Sequence, residues 1–211
     1  MTIRSTTPRT PVRRAALVLA AAGAALVLAA CGSDGGGDSG HSGNGATPSA
    51  SADATAASHN AQDVAFAQGM IPHHEQALDM ARLAADRASS ARVKDLATRI
   101  EKAQDPEITT MTGWLRAWGE QVPAPGMDHT GHSGMAGMMD DKDMTALKKA
   151  TGQDFDTKFL NMMVEHHKGA VEMATTEKSK GAYGPAKGLA DAVVTAQNAE
   201  IEEMRQLLGQ G

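Results

Sequence analysis

The sequence has little of what builds a disulfide framework, a β-sheet or a nucleic-acid surface. Cys31 is the only cysteine among 211 residues, so no disulfide can form within the chain. Aromatic residues make up 3%, β-branched residues are sparse, and no segment alternates with the period of a strand. No run of basic residues is present, and phosphate neutralisation dominates affinity for nucleic acid. These absences exclude a disulfide scaffold, predict no sheet and argue against a nucleic-acid partner.

The N-terminus has no apolar run long enough to span a membrane. The first 14 residues carry four arginines and no acid, and Ala15 to Ala30 form an unbroken run of 16 small and apolar residues. A transmembrane helix needs about 18 or more. A basic start followed by a short apolar run is typical of a secretory signal, which we place at residues 1–30. Cys31 follows Leu-Ala-Ala, a position that resembles the lipobox of bacterial lipoproteins, so we predict that Cys31 is lipidated.

A flexible tether and one acidic domain follow the signal. Residues 31–58 are mostly Gly, Ser, Ala, Asp and Thr, which bury too little surface to fold. Removing residues 1–30 leaves 16 basic and 25 acidic residues, a formal charge of −9. Residues 59–211 have a normal length for a single domain.

That domain contains an internal repeat at a constant offset of 93 residues. In the first segment the offset pairs Asp63, Phe66, Met70, His73, His74, Ala77, Met80 and Ala81 with Asp156, Phe159, Met163, His166, His167, Ala170, Met173 and Ala174. In the second it pairs Leu96, Gln104, Glu107, Ile108 and Met111 with Leu189, Gln197, Glu200, Ile201 and Met204. One offset that holds across two segments without a gap indicates a duplicated unit.

Each unit is predicted to be a helical hairpin. Apolar residues recur at i, i+3, i+4 and i+7, which is typical of an amphipathic helix. In the first unit Ser89-Ser90 separates two helices, and Ser90 suits the cap of the second, which ends near Trp118-Gly119. In the second unit we expect helices from about Gln153 to Lys178 and, after a break over residues 181–185, to about Leu208.

Two such hairpins bury their apolar faces most simply as an antiparallel four-helix bundle, so the predicted fold is all-α and ferritin-like. A Met/His-rich connector, residues 120–143, joins the hairpins, and Met144 to Ala150 favour a short extra helix. Pro72 and Pro106 fall inside the periodic stripes, where proline either kinks a helix or divides it in two.

The chemistry is concentrated in two Met-x-x-His-His pentads, Met70 to His74 and Met163 to His167. At 100° per residue, the methionine and both histidines lie on the core side of each helix. The two histidines of one pentad diverge by 100°, so we expect a site that combines Met and one His from each repeat. Thioether sulfur is a soft ligand that selects copper, especially Cu(I), over hard cations.

Packing is the alternative interpretation of each pentad taken alone. Six further repeated residues could either satisfy buried imidazoles or support ligating ones, and we keep them as outer candidates. They are Met80, Met173, Gln104, Glu107, Gln197 and Glu200.

The connector favours the metal interpretation, because exposed methionine is oxidisable and a solvated linker has no structural need for it. Four methionines and two histidines occur within residues 127–139. We predict that this segment captures soft metal ions through Met127, His129, His132, Met135, Met138 and Met139.

These motifs resemble the secreted, ferritin-like family called domain of unknown function 305, whose members include CopM-like periplasmic copper-binding proteins. The resemblance covers roughly residues 60–209 and rests on both pentads, on the Gln104-x-x-Glu107-Ile108-x-x-Met111 pattern and on its copy at Gln197. It implies a four-helix bundle with copper ligands at Met70, His73, His74, Met163, His166 and His167. Glu165 departs from the family pattern, which often has proline there.

The sequence thus predicts a non-enzymatic, exported copper-binding lipoprotein on the outer face of the cytoplasmic membrane, which sequesters or transfers copper. Cu(I) is favoured, Cu(II) is an alternative, and silver is expected to mimic copper. The expected partners are the metal ion, a membrane reached only through the lipid anchor, and a copper-exchange protein as a further candidate. The competing hypotheses are a di-iron or copper oxidoreductase and a metal-free surface module. The di-iron form requires Glu-x-x-His pairs, which the pentads lack.

Overall fold

The computed structural model describes residues 58–124 and 136–209. Apart from one isolated bridge, these ranges contain only helices and connections. The helices are α1 (Ala61–Arg87), α2 (Ala91–Trp118), α3 (Asp141–Lys149), α4 (Gly152–Lys180) and α5 (Gly184–Leu207). None of these helices is both long and apolar enough to cross a membrane. The all-α prediction is confirmed, while the predicted signal peptide with Cys31, and all of the tether except Ser58, lie outside the described residues.

Local capping explains where the first hairpin begins, turns and ends. The Asn60 side chain accepts hydrogen bonds from the backbone of Gln62 and Asp63, and Asp63 accepts one from the Asn60 backbone at 2.6 Å. Ser90 caps α2 by accepting from Val93 N, as predicted. Gly119 ends α2 in the left-handed region, at φ 74°, where glycine has no steric penalty.

Two helix boundaries differ from the predictions. The short extra helix begins at Asp141 rather than Met144, because Asp140 caps it by accepting from Asp143 N at 2.7 Å. The break before α5 ends at Tyr183 rather than Pro185, and α5 begins at Gly184, because proline fits the first turn, where its missing N–H would have no helical partner.

Neither internal proline divides its helix. Helix α1 continues through the buried Pro72, and α2 continues through Pro106. The alternative in which each helix is two shorter pieces is therefore wrong.

The two hairpins are α1–α2 and α4–α5, and they meet mainly through α1 and α4. A carboxylate at the start of each hairpin binds the turn of the other. Asp63 accepts from the backbone of Ala182 and Tyr183, and the equivalent Asp156 accepts from the backbone of Ser89 and Ser90. These turn residues also correspond at an offset of 93, so the packing of the hairpins repeats the sequence symmetry.

The core consists of two clusters, one toward each end of the bundle. The first contains Phe155 and Phe159, whose rings stack 5.7 Å apart, and draws on all five helices. The second contains Phe66 and Leu115, and it is bordered by an aromatic group at the N-terminal end of α1. That group comprises Trp114, Trp118, Tyr183 and His59, whose ring stacks on Trp118 at 4.3 Å.

Candidate metal centre

The four pentad histidines lie in the middle of α1 and α4, where these two helices pack together. The side chains of His73, His74 and His167 are 0% exposed, and His166 is 1% exposed. We call these four residues the histidine layer. A layer of four imidazoles is unusual in a core, because each ring brings two polar nitrogens that need partners.

The first histidines of the two pentads face each other across the interface between the hairpins. The ring centroids of His73 and His166 are 3.7 Å apart, and their planes are inclined by 39°. The structure therefore brings one histidine from each repeat together, as the sequence predicted.

The second histidines turn away from this pair and reach the other helix of their own hairpin. His74 Nε2 lies 2.6 Å from Glu107 Oε2, and His167 Nε2 lies 2.7 Å from Glu200 Oε2. The matching distances show that the duplication preserved the pairs. The 100° between neighbouring helical residues separates the two histidines of each pentad, as expected.

Six ring nitrogens in the histidine layer have no hydrogen-bond partner in bonding geometry. They are both nitrogens of His73, both nitrogens of His166, and Nδ1 of His74 and of His167. The backbone of Ala136 lies beside the His73 ring but leaves these nitrogens unsatisfied. An unpaired buried polar group usually costs more than about 1 kcal/mol, so six in one layer call for an explanation.

The facing pair is held in the neutral form that binds metal. Burial and, to a smaller extent, the neighbouring His74 and His167 lower the pKa of His73 from 6.5 to about 3. Burial also lowers the pKa of His166 well below its ordinary value, with a contribution from His73. At neutral pH the lone pairs of both rings are therefore free to coordinate a cation without releasing a proton.

The pentad methionines flank this layer on opposite sides. Met163 belongs to the cluster that also contains Met80 and Met204. Met70 belongs to the other cluster, with Met111, and Met173 packs against it. Each methionine thus lies in its own cluster, one on either side of the facing histidines, and the prediction that both share a site with them stays a prediction.

The remaining predicted residues fall into three groups. Gln104 and Gln197 are buried one turn before the paired glutamates, and their Oε1 atoms have no partner. Met138 and Met139, in the described part of the connector, lie half-buried. The other connector candidates, Met127, His129, His132 and Met135, lie outside the described residues.

Within the described ranges, no three His, Cys, Asp or Glu side chains are arranged to hold a metal ion. A centre in the histidine layer therefore has to draw on thioether sulfur or on a shift of the rings. The nearby donors are imidazole nitrogens, methionine sulfurs and the carboxylates of Glu107 and Glu200, which contact His74 and His167. The thioether sulfurs favour copper over hard cations such as magnesium.

Two buried contacts were missed by the sequence analysis. Gln76, one turn after His73, binds the backbone of Met139 through both ends of its amide. Glu177 is fully buried beside Asp63, and burial together with that carboxylate raises the pKa of Glu177 to about 7. The only sequence signal for either residue was a polar side chain on the apolar face of its helix.

A duplicated helical hairpin with buried histidines between its halves defines a class of small helical-bundle proteins. A family model described as "Domain of unknown function (DUF305)" matches residues 63–208. The chain therefore belongs to the DUF305 family, as its pentad motifs predicted. Comparison with curated proteins found no match.

Several solved structures have the same fold. The chain is 33% identical to a DUF305 protein from Streptomyces coelicolor, provisionally described as secreted, with a TM-score of 0.64 over 71% of this chain and 93% of that one. A DUF305 fragment from Deinococcus radiodurans is 31% identical, with a TM-score of 0.64 over 72% of this chain and 98% of that one. CopM in its Cu(II)-bound form is 37% identical, with a TM-score of 0.61 over 69% of this chain and 94% of that one. CopM has also been solved with Cu(I) and with silver.

Proposed function

We propose that this chain is an exported copper-binding protein that sequesters or transfers copper and performs no catalysis of its own. The proposed ligands are the histidine layer together with Met70 and Met163. The connector methionines and histidines make the first contact with the ion, and silver substitutes for Cu(I).

The six unpartnered ring nitrogens in the histidine layer carry this proposal. Buried nitrogens are normally satisfied by protein or water, and a metal ion is the partner that can use several lone pairs at one point. The pairing of His74 with Glu107 and of His167 with Glu200 supports it. A ligating histidine commonly donates its other N–H to a carboxylate, which fixes the tautomer and the orientation of the ring.

Two observations favour copper as the ion. Methionine sulfur lies on both sides of the layer, in the clusters of Met163 and Met70, and thioether is a soft ligand that prefers Cu(I). CopM, which is similar in sequence and fold, is known in Cu(I)-, Cu(II)- and silver-bound forms. A di-iron centre is less well supported, because the position three residues before each pentad histidine holds Met70, Ile71, Met163 or Val164 instead of a carboxylate.

Export and anchoring complete the proposal. The basic start, the short apolar run and Cys31 indicate a lipoprotein signal, and a similar structure is provisionally described as secreted. A lipid on Cys31 and the tether 31–58 would hold the bundle at the outer face of the cytoplasmic membrane, where it meets incoming copper.

The test is an anaerobic Cu(I) competition between the full chain and a coloured chelator. In the variant His73→Ala/His74→Ala/His166→Ala/His167→Ala we expect the tightest binding to be lost. The double variant His73→Phe/His166→Phe keeps two rings at the interface but removes their nitrogens, so it should lose affinity with less effect on folding.

His59→Ala is the matched control, because His59 stacks on Trp118 at the end of the bundle and lies outside the histidine layer. Its affinity for Cu(I) should equal that of the unmodified chain. If folded histidine-layer variants bind as many Cu(I) ions with unchanged affinity, the assignment of the ligands is wrong.

A further inference from the structure

A segment near the end of the connector crosses the bundle next to the histidine layer. We call residues 136–139 the strap. Gln76 donates from Nε2 to Met139 O and accepts from Met139 N, both at 2.8 Å. Gln76 is 0% exposed, so this pair of hydrogen bonds satisfies an amide that would otherwise be buried without partners. One end of the strap is thereby attached to α1, one turn from His73.

At its other end the strap packs directly against the backbone of α4, and two glycines, Gly137 and Gly169, allow this close approach. Gly137 has a φ of 80°, and a Cβ there would lie 2.7 Å from Glu165 O and 2.9 Å from His166 O. A Cβ on Gly169 would lie 1.9 Å from Ala136 O. Contacts this short exclude any side chain, so the two backbones touch directly at the turn of α4 that carries His166.

The repeat symmetry explains why the strap lies where it does. Gln76 and Gly169 occupy equivalent positions at the offset of 93, and both contact the strap. The strap therefore spans the groove between α1 and α4 at the level where His73 and His166 face each other. Helices α2 and α5 approach the layer through their glutamates, on the faces that carry His74 and His167.

The strap also links the connector to the methionines. Met139 is half-buried and packs against the cluster that contains Met163, Met80 and Met204. A thioether at the end of the connector thus reaches the methionines beside the histidine layer.

We infer that Gln76 and Gly169 are positioning residues for metal entry: they hold the strap over the His73–His166 pair, and copper reaches these histidines when the strap lifts. The inference rests on the proposed function, because it assumes that the pair is the destination of the ion. Loosening the strap is expected to change the rate of uptake while leaving the affinity nearly unchanged, because the proposed ligands themselves are retained.

The first part of the test needs no metal. Diethyl pyrocarbonate modification of the apo full chain, read by mass spectrometry, reports solvent access to His73 and His166. Gly169→Ala disrupts the close packing of the strap on α4, and Gln76→Leu removes both hydrogen bonds while keeping a buried side chain. We expect both variants to be modified faster, by about tenfold if two hydrogen bonds are lost. Gly188→Ala is the control, because this helical glycine has nothing within 4 Å of its missing Cβ.

The second part measures the rate at which the same proteins withdraw Cu(I) from a coloured chelator, together with their equilibrium affinity. We expect uptake to rise several-fold in Gly169→Ala and Gln76→Leu, in step with histidine modification, while affinity changes by less than about threefold. A merely structural role would lower the affinity or the stability without accelerating uptake.

Two results would overturn the inference: modification of the histidines that equals the control in both variants, or faster modification with unchanged uptake. Failure of the proposed function looks different, because His73→Phe/His166→Phe would then bind Cu(I) as the unmodified chain does. In that event the modification rates alone decide whether the strap covers the pair.

Discussion

At the scale of single residues, the histidine layer contains two kinds of imidazole. His73 and His166 face each other with all ring nitrogens unpartnered, whereas His74 and His167 each contact a glutamate. Each neutral ring of the first kind has one lone pair and one N–H, both unpartnered, and each ring of the second kind has one unpartnered nitrogen and is oriented by a carboxylate. In the proposed centre, both kinds would be positioned before the ion arrives.

The orienting role of the glutamates gives the first prediction. Replacing Glu107 and Glu200 together by Ala should lower the affinity for Cu(I) by about 10- to 100-fold, the range seen when such supporting carboxylates are lost. The measurement is anaerobic competition at about pH 7.5, where the lowered pKa values of His73 and His166 keep both rings neutral. Glu202→Ala, on the exposed face of α5, is the control for removal of a charge. Equal affinity in the double variant and the control would show that the glutamates only satisfy buried rings.

Glu177 gives a second prediction at this scale, concerning stability. Its pKa is raised from 4.5 to about 7 by burial and by Asp63, although Gln62 and Lys187 act in the opposite direction. Between these pH values the folded state binds more protons than the unfolded state. The free energy of unfolding must therefore fall as pH rises from 4.5 to about 7.

Glu177→Gln removes this titration. Relative to the unmodified chain, the variant should gain about 1–3 kcal/mol in unfolding free energy between about pH 5 and pH 8. Urea denaturation at both pH values measures the difference. Any pH-independent effect of the amide on the unfolding free energy is the same at both values and therefore cancels. Glu172→Gln, on the exposed face of the same helix, controls for the lost charge. An effect of Glu177→Gln that is independent of pH would contradict the buried acid pair.

At the scale of elements, the hairpins are joined by carboxylates that bind turns. Asp156 accepts from Ser89 N at 3.1 Å, from Ser89 Oγ at 2.5 Å and from Ser90 N at 2.9 Å. Such charge-assisted bonds are stronger than neutral ones, and here they connect the start of α4 to the turn between α1 and α2. They therefore fix how one hairpin sits on the other, and with it how His73 meets His166.

The third prediction tests how much Asp156 contributes to this contact between the hairpins. Asp156→Ala should lower the unfolding free energy by about 2–3 kcal/mol, because it removes three hydrogen bonds to a charged acceptor. Asp154→Ala is the matched control two residues earlier: Asp154 forms an exposed pair with Lys158, and its loss should cost less than about 1 kcal/mol. Chemical denaturation of both variants measures the difference. Similar losses of unfolding free energy in the two variants would show that Asp156 does not stabilise the contact between the hairpins.

At the scale of the whole molecule, the sequence predicted what depends on periodicity and repetition. The helical stripes and the constant offset predicted the helices, their pairing into hairpins and the meeting of one histidine from each repeat. Pro72 left two alternatives open, a kink or a division of α1, and the structure shows one continuous helix.

What could not be predicted depends on contacts between distant segments. The hydrogen bonds of Gln76 with Met139 join residues 63 positions apart, and no local pattern encodes such a pair. Met70 and Met163 belong to different core clusters, and which cluster each methionine joins depends on how α1 packs against α4, which helical periodicity leaves undetermined. The pairing of Asp63 with Glu177 has no counterpart in the other repeat, where Ala84 occupies the position of Glu177, so the repeat gave no indication of it.

The most direct test of the central claim is X-ray absorption spectroscopy at the copper edge on the full chain loaded with one Cu(I) under anaerobic conditions. A centre built from the histidine layer and the flanking methionines predicts both imidazole nitrogen and thioether sulfur around the ion. His73→Phe/His166→Phe should reduce the imidazole contribution, and His59→Ala should leave it unchanged. A spectrum of sulfur ligands alone, unchanged by His73→Phe/His166→Phe, would contradict the claim that these histidines hold the metal.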